Sequence, residues 1–265
     1  MRIAVLLKEV PDTYSDREMN LETGLTDRSG DVVVDEVGER AVEAALRIAE
    51  AAGESEVEVL SVGPVGSVDS IRKAIAMGAS EAYLVSDESL IGADLTLTAE
   101  VLAALVKRGS YDLVVAGASS SDGGGGVVAS LIGELLDYPA LTNLTECTVE
   151  SGKVSGTQAS DGAEVTLSAD LPAVVSVSDG FADARFPNFK GLMAAKKKEM
   201  NKVTLAELGE YGVDPEDWTR PRSIMVSIAQ RPERERGEII NGGPQAAAKL
   251  VDFLEAKGLT NKEEK

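Results

Sequence analysis

Histidine is absent from this 265-residue chain, and cysteine occurs once, as Cys147. Those shortages exclude a good deal of chemistry. No histidine-ligated metal, no Ser-His or Cys-His catalytic pair and no internal disulfide can be built from such a composition. Long apolar runs are missing as well, since no stretch approaches the ~20 apolar residues of a membrane span. The opening run Met1-Arg2-Ile3-Ala4-Val5-Leu6-Leu7 lacks the longer apolar region and the cleavage site of a signal peptide, so a cytoplasmic location is expected. Basic charge is scarce. The chain has 26 Lys and Arg against 45 Asp and Glu, a formal net charge of −19. Such a field repels nucleic acid and anionic membranes, and neither binding to nucleic acid nor direct membrane insertion is expected. The acids are spread along the chain and not gathered in a tail, which favours a salt-adapted protein whose surface carboxylate repulsion is screened.

Familiar catalytic strings are missing too. No G-x-x-x-x-G-K-[ST] supports nucleotide hydrolysis, and the glycine spacing fails G-x-G-x-x-G with a following acid. No nucleophile has a recognisable base beside it, and there is no internal repeat. No residue is expected to act as acid, base or nucleophile.

What is present is an alternation of strand and helix candidates through the first two-thirds. Ile3–Leu7, Glu56–Val62, Ala82–Ser86 and Leu113–Ala116 read as strands. Glu36–Ala52, Ser67–Met77, Asp94–Lys107 and Val127–Leu136 read as helices, with Asp12–Asp31 a polar segment. That order predicts an α/β fold, a doubly wound parallel sheet covered on both faces. After Pro139 the short pieces Thr148–Glu150, Lys153–Ser155, Glu164–Ser168 and Ala173–Ser176 read as β hairpins or strands added at a sheet edge. Beyond Lys198 come a helical turn at Leu205–Leu208, breakers at Asp214-Pro215 and Arg220-Pro221, a charged linker Arg231–Arg236 and an amphipathic helix Pro244–Ala256. Residues 1–200 are expected to form the main domain, and 201–265 an extended C-terminal arm that packs on something else.

Asp122 is followed by Gly123, Gly124, Gly125 and Gly126, between the strand ending at Ala116 and the helix beginning at Val127. Four glycines leave backbone N–H groups unshielded beside a positive helix end, which suits a phosphate. A glycine run by itself is equally a flexible loop. In open parallel sheets ligands bind beyond the carboxyl ends of strands, and two further turns share that edge, Leu7–Asp12 and Ser61–Gly66. Ser67 is placed to cap the helix that follows. Each turn alone reads more readily as an ordinary strand-to-helix connection; three on one edge suggest a nucleotide site.

A second informative string runs from Leu171-Pro172-Ala173-Val174-Val175-Ser176 through Arg185-Phe186-Pro187-Asn188-Phe189-Lys190-Gly191-Leu192-Met193 to Lys196-Lys197-Lys198. It reads as a buried strand, an irregular loop with large apolar side chains and a basic island. A solvated helix end would explain the lysines, but the apolar loop before them suggests a protein-facing surface.

This string resembles the β-subunit signature of electron transfer flavoproteins. Lys8-Glu9-Val10-Pro11-Asp12, Ser61-Val62-Gly63-Pro64, Ala74-Ile75-Ala76-Met77-Gly78-Ala79 and Leu136-Asp137-Tyr138-Pro139 match the family in the same order, over about residues 1–205. The resemblance implies a Rossmann-like (adenine nucleotide alpha hydrolase-like) domain in a heterodimer whose α subunit holds most of the FAD. It implies AMP, or in bifurcating forms a second FAD, in this subunit, with flavin dehydrogenases and a quinone reductase as redox partners. Nucleotide contacts would fall on Leu6, Asp35 to Gly38, Val62, Gly63 and Asp122 to Ile132, including Gly123–Gly126, Val127, Val128 and Ser130. Docking would fall on Phe189, with Arg185, Leu192, Met193, Lys196, Lys197 and Lys198. The chain departs from the family where Gly124–Val128 replace polar side chains, and where Asp35-Glu36 places two carboxylates near an anion site. Asp35 would bond a ribose or cap the helix. The rival outside the family is a stand-alone nucleotide-binding module of the universal-stress type, which has no use for the segment after residue 150.

Overall fold

The computed structural model describes residues 1–15, 18–212, 223–234 and 236–260. These form two units, Met1–Ile228 and Ala229–Lys265. The first begins with β1 (Arg2–Leu6), the antiparallel pair β2 (Glu9–Pro11) and β3 (Val32–Val34), and α1 (Glu36–Ala52). Then β4 (Glu56–Val62), α2 (Val68–Met77), β5 (Glu81–Val85), α3 (Leu95–Gly109), β6 (Leu113–Gly117) and α4 (Val128–Leu136) alternate. Four strands follow, β7 (Ala140–Glu150), β8 (Lys153–Ser160), β9 (Ala163–Asp170) and β10 (Ala173–Val177). After them come α5 (Phe189–Lys197), β11 (Asn201–Val203) and α6 (Leu205–Leu208), and the second unit contains α7 (Ala246–Ala256).

Among the described residues nine strands share one sheet in the order β11-β5-β4-β1-β6-β10-β7-β8-β9. Neighbours from β11 to β7 are parallel, while β7, β8 and β9 pair antiparallel. The alternation along β1 shows why both faces are covered. Ile3 and Val5 join the layer of α1 and α2, whereas Ala4 and Leu6 join that of α3 and α4. β6 divides in the same way, Leu113 and Val115 against Val114 and Ala116. Small residues bring the helices close, with Ala41, Ala44 and Ala45 of α1 on one face and Ala99, Ala103 and Ala104 of α3 on the other. Helix starts are set by acids. Asp35 accepts from Gly38 N at 3.1 Å, and Asp94 accepts from Leu97 N at 2.8 Å. The fold is the expected α/β doubly wound, Rossmann-like sheet.

Four details differ from expectation. β10 is no edge piece; it lies between β6 and β7, with all five residues buried. Its valine-rich run suits a strand covered on both faces, and the one polar member, Ser176, is buried with its hydroxyl accepting from Asn143 N at 3.0 Å. β7 is 11 residues long, because its first part pairs with β10 before the rest carries the β8–β9 hairpin outward. The apolar segment before the lysines is largely helical: Asn188 accepts from Gly191 N at 2.8 Å and so starts α5. Ser67 does not cap α2. It sits in a 3-10 turn with helical backbone, and its hydroxyl donates back to the Pro64 carbonyl at 2.8 Å. The breaks foreseen at Asp214-Pro215 and Arg220-Pro221 lie outside the described residues, as does Glu235 of the charged linker.

Within the second unit α7 leaves Leu250, Val251 and Phe253 exposed and buries none of its residues. No helix among the described residues is long and apolar enough to cross a membrane.

Candidate functional site

From β1 the chain builds β4 and β5 on one side, then crosses to β6, β10 and β7 on the other. The order therefore reverses between β1 and β6, and the carboxyl ends of such a strand pair are where open sheets form their ligand crevice. Three segments meet there. After β6 comes the glycine run, after β1 the turn at Leu7 and Lys8, and between them the start of α1. The approach of α1 is close enough to require Gly117, where an added Cβ would stand 3.1 Å from both Gly38 N and the Val37 carbonyl carbon.

Two buried carboxylates hold the loop. Asp35 caps α1 through one oxygen, and its other oxygen accepts from Ser121 N at 2.9 Å. Asp122 is paired with Lys8 at 2.8 Å and with Arg28, and its side chain is 2 % exposed. Gly123 N donates to the oxygen that also takes Lys8, at 2.6 Å. Burial by itself would raise the Asp122 carboxyl. Hydrogen bonds from Lys8, Ser120 and Arg28 and the charge of Lys8 outweigh it, holding the group well below the usual carboxylate range. Asp122 is ionised throughout the neutral range.

The glycines themselves are exposed. Gly124 and Gly126 take φ of +61° and +65°, a conformation that costs a residue with a Cβ about 1–2 kcal/mol. No side chain caps α4, which starts behind Val127. Gly123 N is taken by Asp122 and Gly124 N by the Ser120 carbonyl at 3.0 Å, so the loop offers its later backbone N–H groups and an uncapped helix N-terminus, with two cations beside them. An anion such as a phosphate fits this donor set; the glycines add no side chains of their own, and Leu95 packs against Gly125.

The expected contact residues divide into groups. Asp35, Gly38, Asp122 and Gly123–Gly126 come together at the crevice, with Val127 exposed and Val128 half-buried at the start of α4. Ser130 is exposed in the first turn of α4. Leu6 is buried at the end of β1, and Val62 and Gly63 lie one strand further along, at the end of β4. Lys8 and Arg28 were not foreseen as members. Lys8 stands in a turn already marked as part of this edge. Arg28 is an unremarkable cation in a polar segment, and its pairing spans 94 residues.

The second candidate surface is α5 and its approach. α5 lies on α2 so tightly that a Cβ at Gly191 would stand 2.2 Å from the Ala76 carbonyl oxygen. Arg72 of α2 donates to the carbonyls of Ala195 and Lys198 at 2.5 and 2.6 Å, closing the other end of the helix. The opposite face stays open: Phe189 is 79 % exposed and Phe186 95 %, with Leu192 and Met193 exposed beside them. Spacing of three and four residues puts Phe189, Leu192, Met193 and Lys196 on one stripe. Lys196 and Lys197 are exposed, while Lys198 pairs with Glu81. Arg185 is turned inward. Its Nε donates to Glu43 at 2.7 Å, its backbone N–H donates to the same oxygen at 3.1 Å, and its guanidinium also binds Glu50. Burial alone would raise the Glu43 carboxyl, but Arg185 and Arg47 outweigh it and hold it down.

Comparison with known proteins decides the family. A family model described as an electron transfer flavoprotein domain matches residues 23–208. The chain is 41% identical over 261 residues to the electron transfer flavoprotein subunit beta of Mycobacterium leprae, covering 96% of this chain and 98% of that one. It is 40% identical to its counterpart in Mycobacterium tuberculosis with the same coverage. The chain belongs to the electron transfer flavoprotein β-subunit family. Another relative is the caffeyl-CoA reductase-Etf complex subunit CarD of Acetobacterium woodii, 32% identical over 265 residues, 97% of this chain and 99% of that one. As an electron transfer flavoprotein β subunit, the protein is a component of electron transport with an α subunit implied as its partner. Both candidate surfaces fall inside the span these relatives share.

Proposed function

We propose that this β subunit holds an adenosine 5′-phosphate at the Asp122–Ser130 loop and presents α5 to redox partners. Its α partner would carry the electron-transferring FAD, in a salt-rich cytoplasm. The donors would be flavin dehydrogenases such as acyl-CoA dehydrogenases, and the acceptor a quinone reductase. When bound, the flavin supplies the electron chemistry, and the protein supplies binding, orientation and electrostatics. The observation that carries the reading is the pairing of an open glycine loop, held by Asp35 and Asp122, with a rigidly seated helix whose apolar face is bare. In that role AMP would be a holding nucleotide that orders the loop through linkage between binding and folding. Residues 201–265 would serve as the arm that packs on the α subunit.

Two measurements test this. FAD and AMP are counted per purified heterodimer, with one of each expected. Phe189→Ala should slow reduction by partner dehydrogenases while flavin content stays unchanged; loss of flavin in that variant would contradict the docking role. A second reading is supported by the similarity to a subunit of a caffeyl-CoA reductase-Etf complex. In it this chain binds a second FAD and accepts hydride from NADH, and two FAD with no AMP per dimer would select it.

A further inference from the structure

The glycine run poses a problem of charge. A nucleotide phosphate is an anion, the protein carries a net charge of −19, and Gly123–Gly126 have no side chains with which to neutralise a ligand. Two carboxylates, Asp35 and Asp122, stand at the same loop. Both are buried, however, with their oxygens occupied: Asp35 by Gly38 N and Ser121 N, Asp122 by Lys8, Arg28 and Gly123 N. The cations they hold are not buried. Lys8 is 42 % exposed and Arg28 37 %. Both cations therefore reach solvent at the loop, as does the exposed Glu36 next to Asp35.

Geometry places both cations at the loop. Lys8 Nζ and Gly123 N meet on the same Asp122 oxygen, at 2.8 and 2.6 Å. Arg28 holds the second oxygen and donates from its other arm to the Glu9 carbonyl at 3.0 Å. An ammonium carries three N–H donors and a guanidinium five, so these bonds exhaust neither group. Arg28 arrives from the Asp12–Asp31 excursion and Lys8 from the turn after β1, and Asp122 joins both to the loop.

We infer that Lys8 and Arg28, fixed by Asp122, are the phosphate-selecting residues of this site. They supply the positive charge that the bare glycine loop cannot, and they make the site discriminate a nucleotide from the matching nucleoside. The inference rests on reading the loop as a nucleotide site. It applies equally to AMP and to the adenosine-phosphate half of FAD, whose shared chemistry is a 5′-phosphate next to adenosine.

The test uses the full chain in complex with its α partner, freed of nucleotide. Affinities for AMP and adenosine are measured by calorimetry for the wild type, Lys8→Gln and Arg28→Gln, with ADP and adenosine as a second pair that stands for the adenosine-phosphate half of FAD. The wild type should prefer the phosphorylated member of whichever pair binds. Each variant should lose about tenfold or more of that preference, the scale of one charge-assisted hydrogen bond, with nucleoside affinity unchanged. Lys8→Arg and Arg28→Lys should restore much of it, and raised salt should erode the wild-type preference more than that of the variants. Equal weakening of nucleotide and nucleoside would overturn the inference, since the two residues would then only shape the loop. So would an unchanged preference in both variants. A wild type that binds neither phosphorylated ligand would refute the nucleotide-site reading itself, and this inference with it. Should Arg28→Gln fail to fold, Lys8→Gln carries the same comparison.

Discussion

Gly191→Ala sets two effects of opposite sign against each other. Helix propensity favours alanine over glycine by about 1 kcal/mol in a helix interior, and on that ground the variant would be stabilised. The packing of α5 says otherwise. The new Cβ would sit 2.2 Å from the Ala76 carbonyl oxygen, a backbone atom of α2 that cannot rotate aside. Ordinary contact is restored only if α5 backs away by roughly 1 Å. That movement reaches the two Arg72 bonds, now 2.5 and 2.6 Å long, and the Lys198–Glu81 pair. Overpacking costs about 1–3 kcal/mol, and each strained charge-assisted bond adds up to about 1.5–3 kcal/mol. Sterics win. The loss stays local, because Ala195 is the one residue α5 buries fully. Native-state hydrogen exchange is the assay: α5 amides should lose about tenfold or more of their protection, while the sheet amides and the melting temperature stay near wild type. Protection of α5 equal to or above wild type would refute the steric argument.

Three further outcomes are expected. Arg185→Gln removes the main partner of buried Glu43 and leaves Arg47, so it should lower stability by about 1–3 kcal/mol, read as a shift in urea midpoint; a change in partner docking without a stability loss would contradict its inward role. Because the Asp122 and Glu43 carboxyls are held below their ordinary values, the unfolded chain takes up protons first on acidification. Their stabilisation is therefore complete above about pH 4 and is lost as pH falls below it. At the alkaline end, burial and the Glu58 carboxylate raise the Tyr111 phenol, so the unfolded phenol ionises first and stability declines above about pH 10. Urea midpoints that stay flat from pH 5 to 3, or an alkaline decline unchanged in Tyr111→Phe, would count against these assignments.

Much of the fold was legible because its signals are local. The limits of α1 and β4 agree residue for residue with the expected segments, since an acid cap and an apolar face define one and an alternating apolar run the other. β11 escaped notice because Asn201-Lys202-Val203 has no pattern, and it is a strand only because β5 offers an edge. The place of β10 in the sheet is a matter of crossover, which no local run of residues encodes. α5 read as a loop because Pro187 and Gly191 look like breakers, yet the first precedes the cap and the second is needed for the approach to α2. At the crevice the glycine run was visible, whereas Arg28 was not, its partner being far away in sequence. That the guanidinium of Arg185, expected at the docking surface, is held by Glu43 and Glu50 is likewise a long-range pairing that the sequence does not display.

Helix α1 has a consequence for how the molecule tolerates change. Its first turn is tied to the glycine loop through Asp35 and Ser121. Further along, Arg40, Glu43 and Glu50 grip residues 181–185, the lead-in to α5. The separation of the two surfaces is therefore measured out by helix rise, about 1.5 Å per residue, and not by the loops that hang from it. Loop lengths can drift during evolution and leave that spacing intact. One residue inserted between Asp35 and Glu43 could not, for it would turn one grip by about 100° relative to the other.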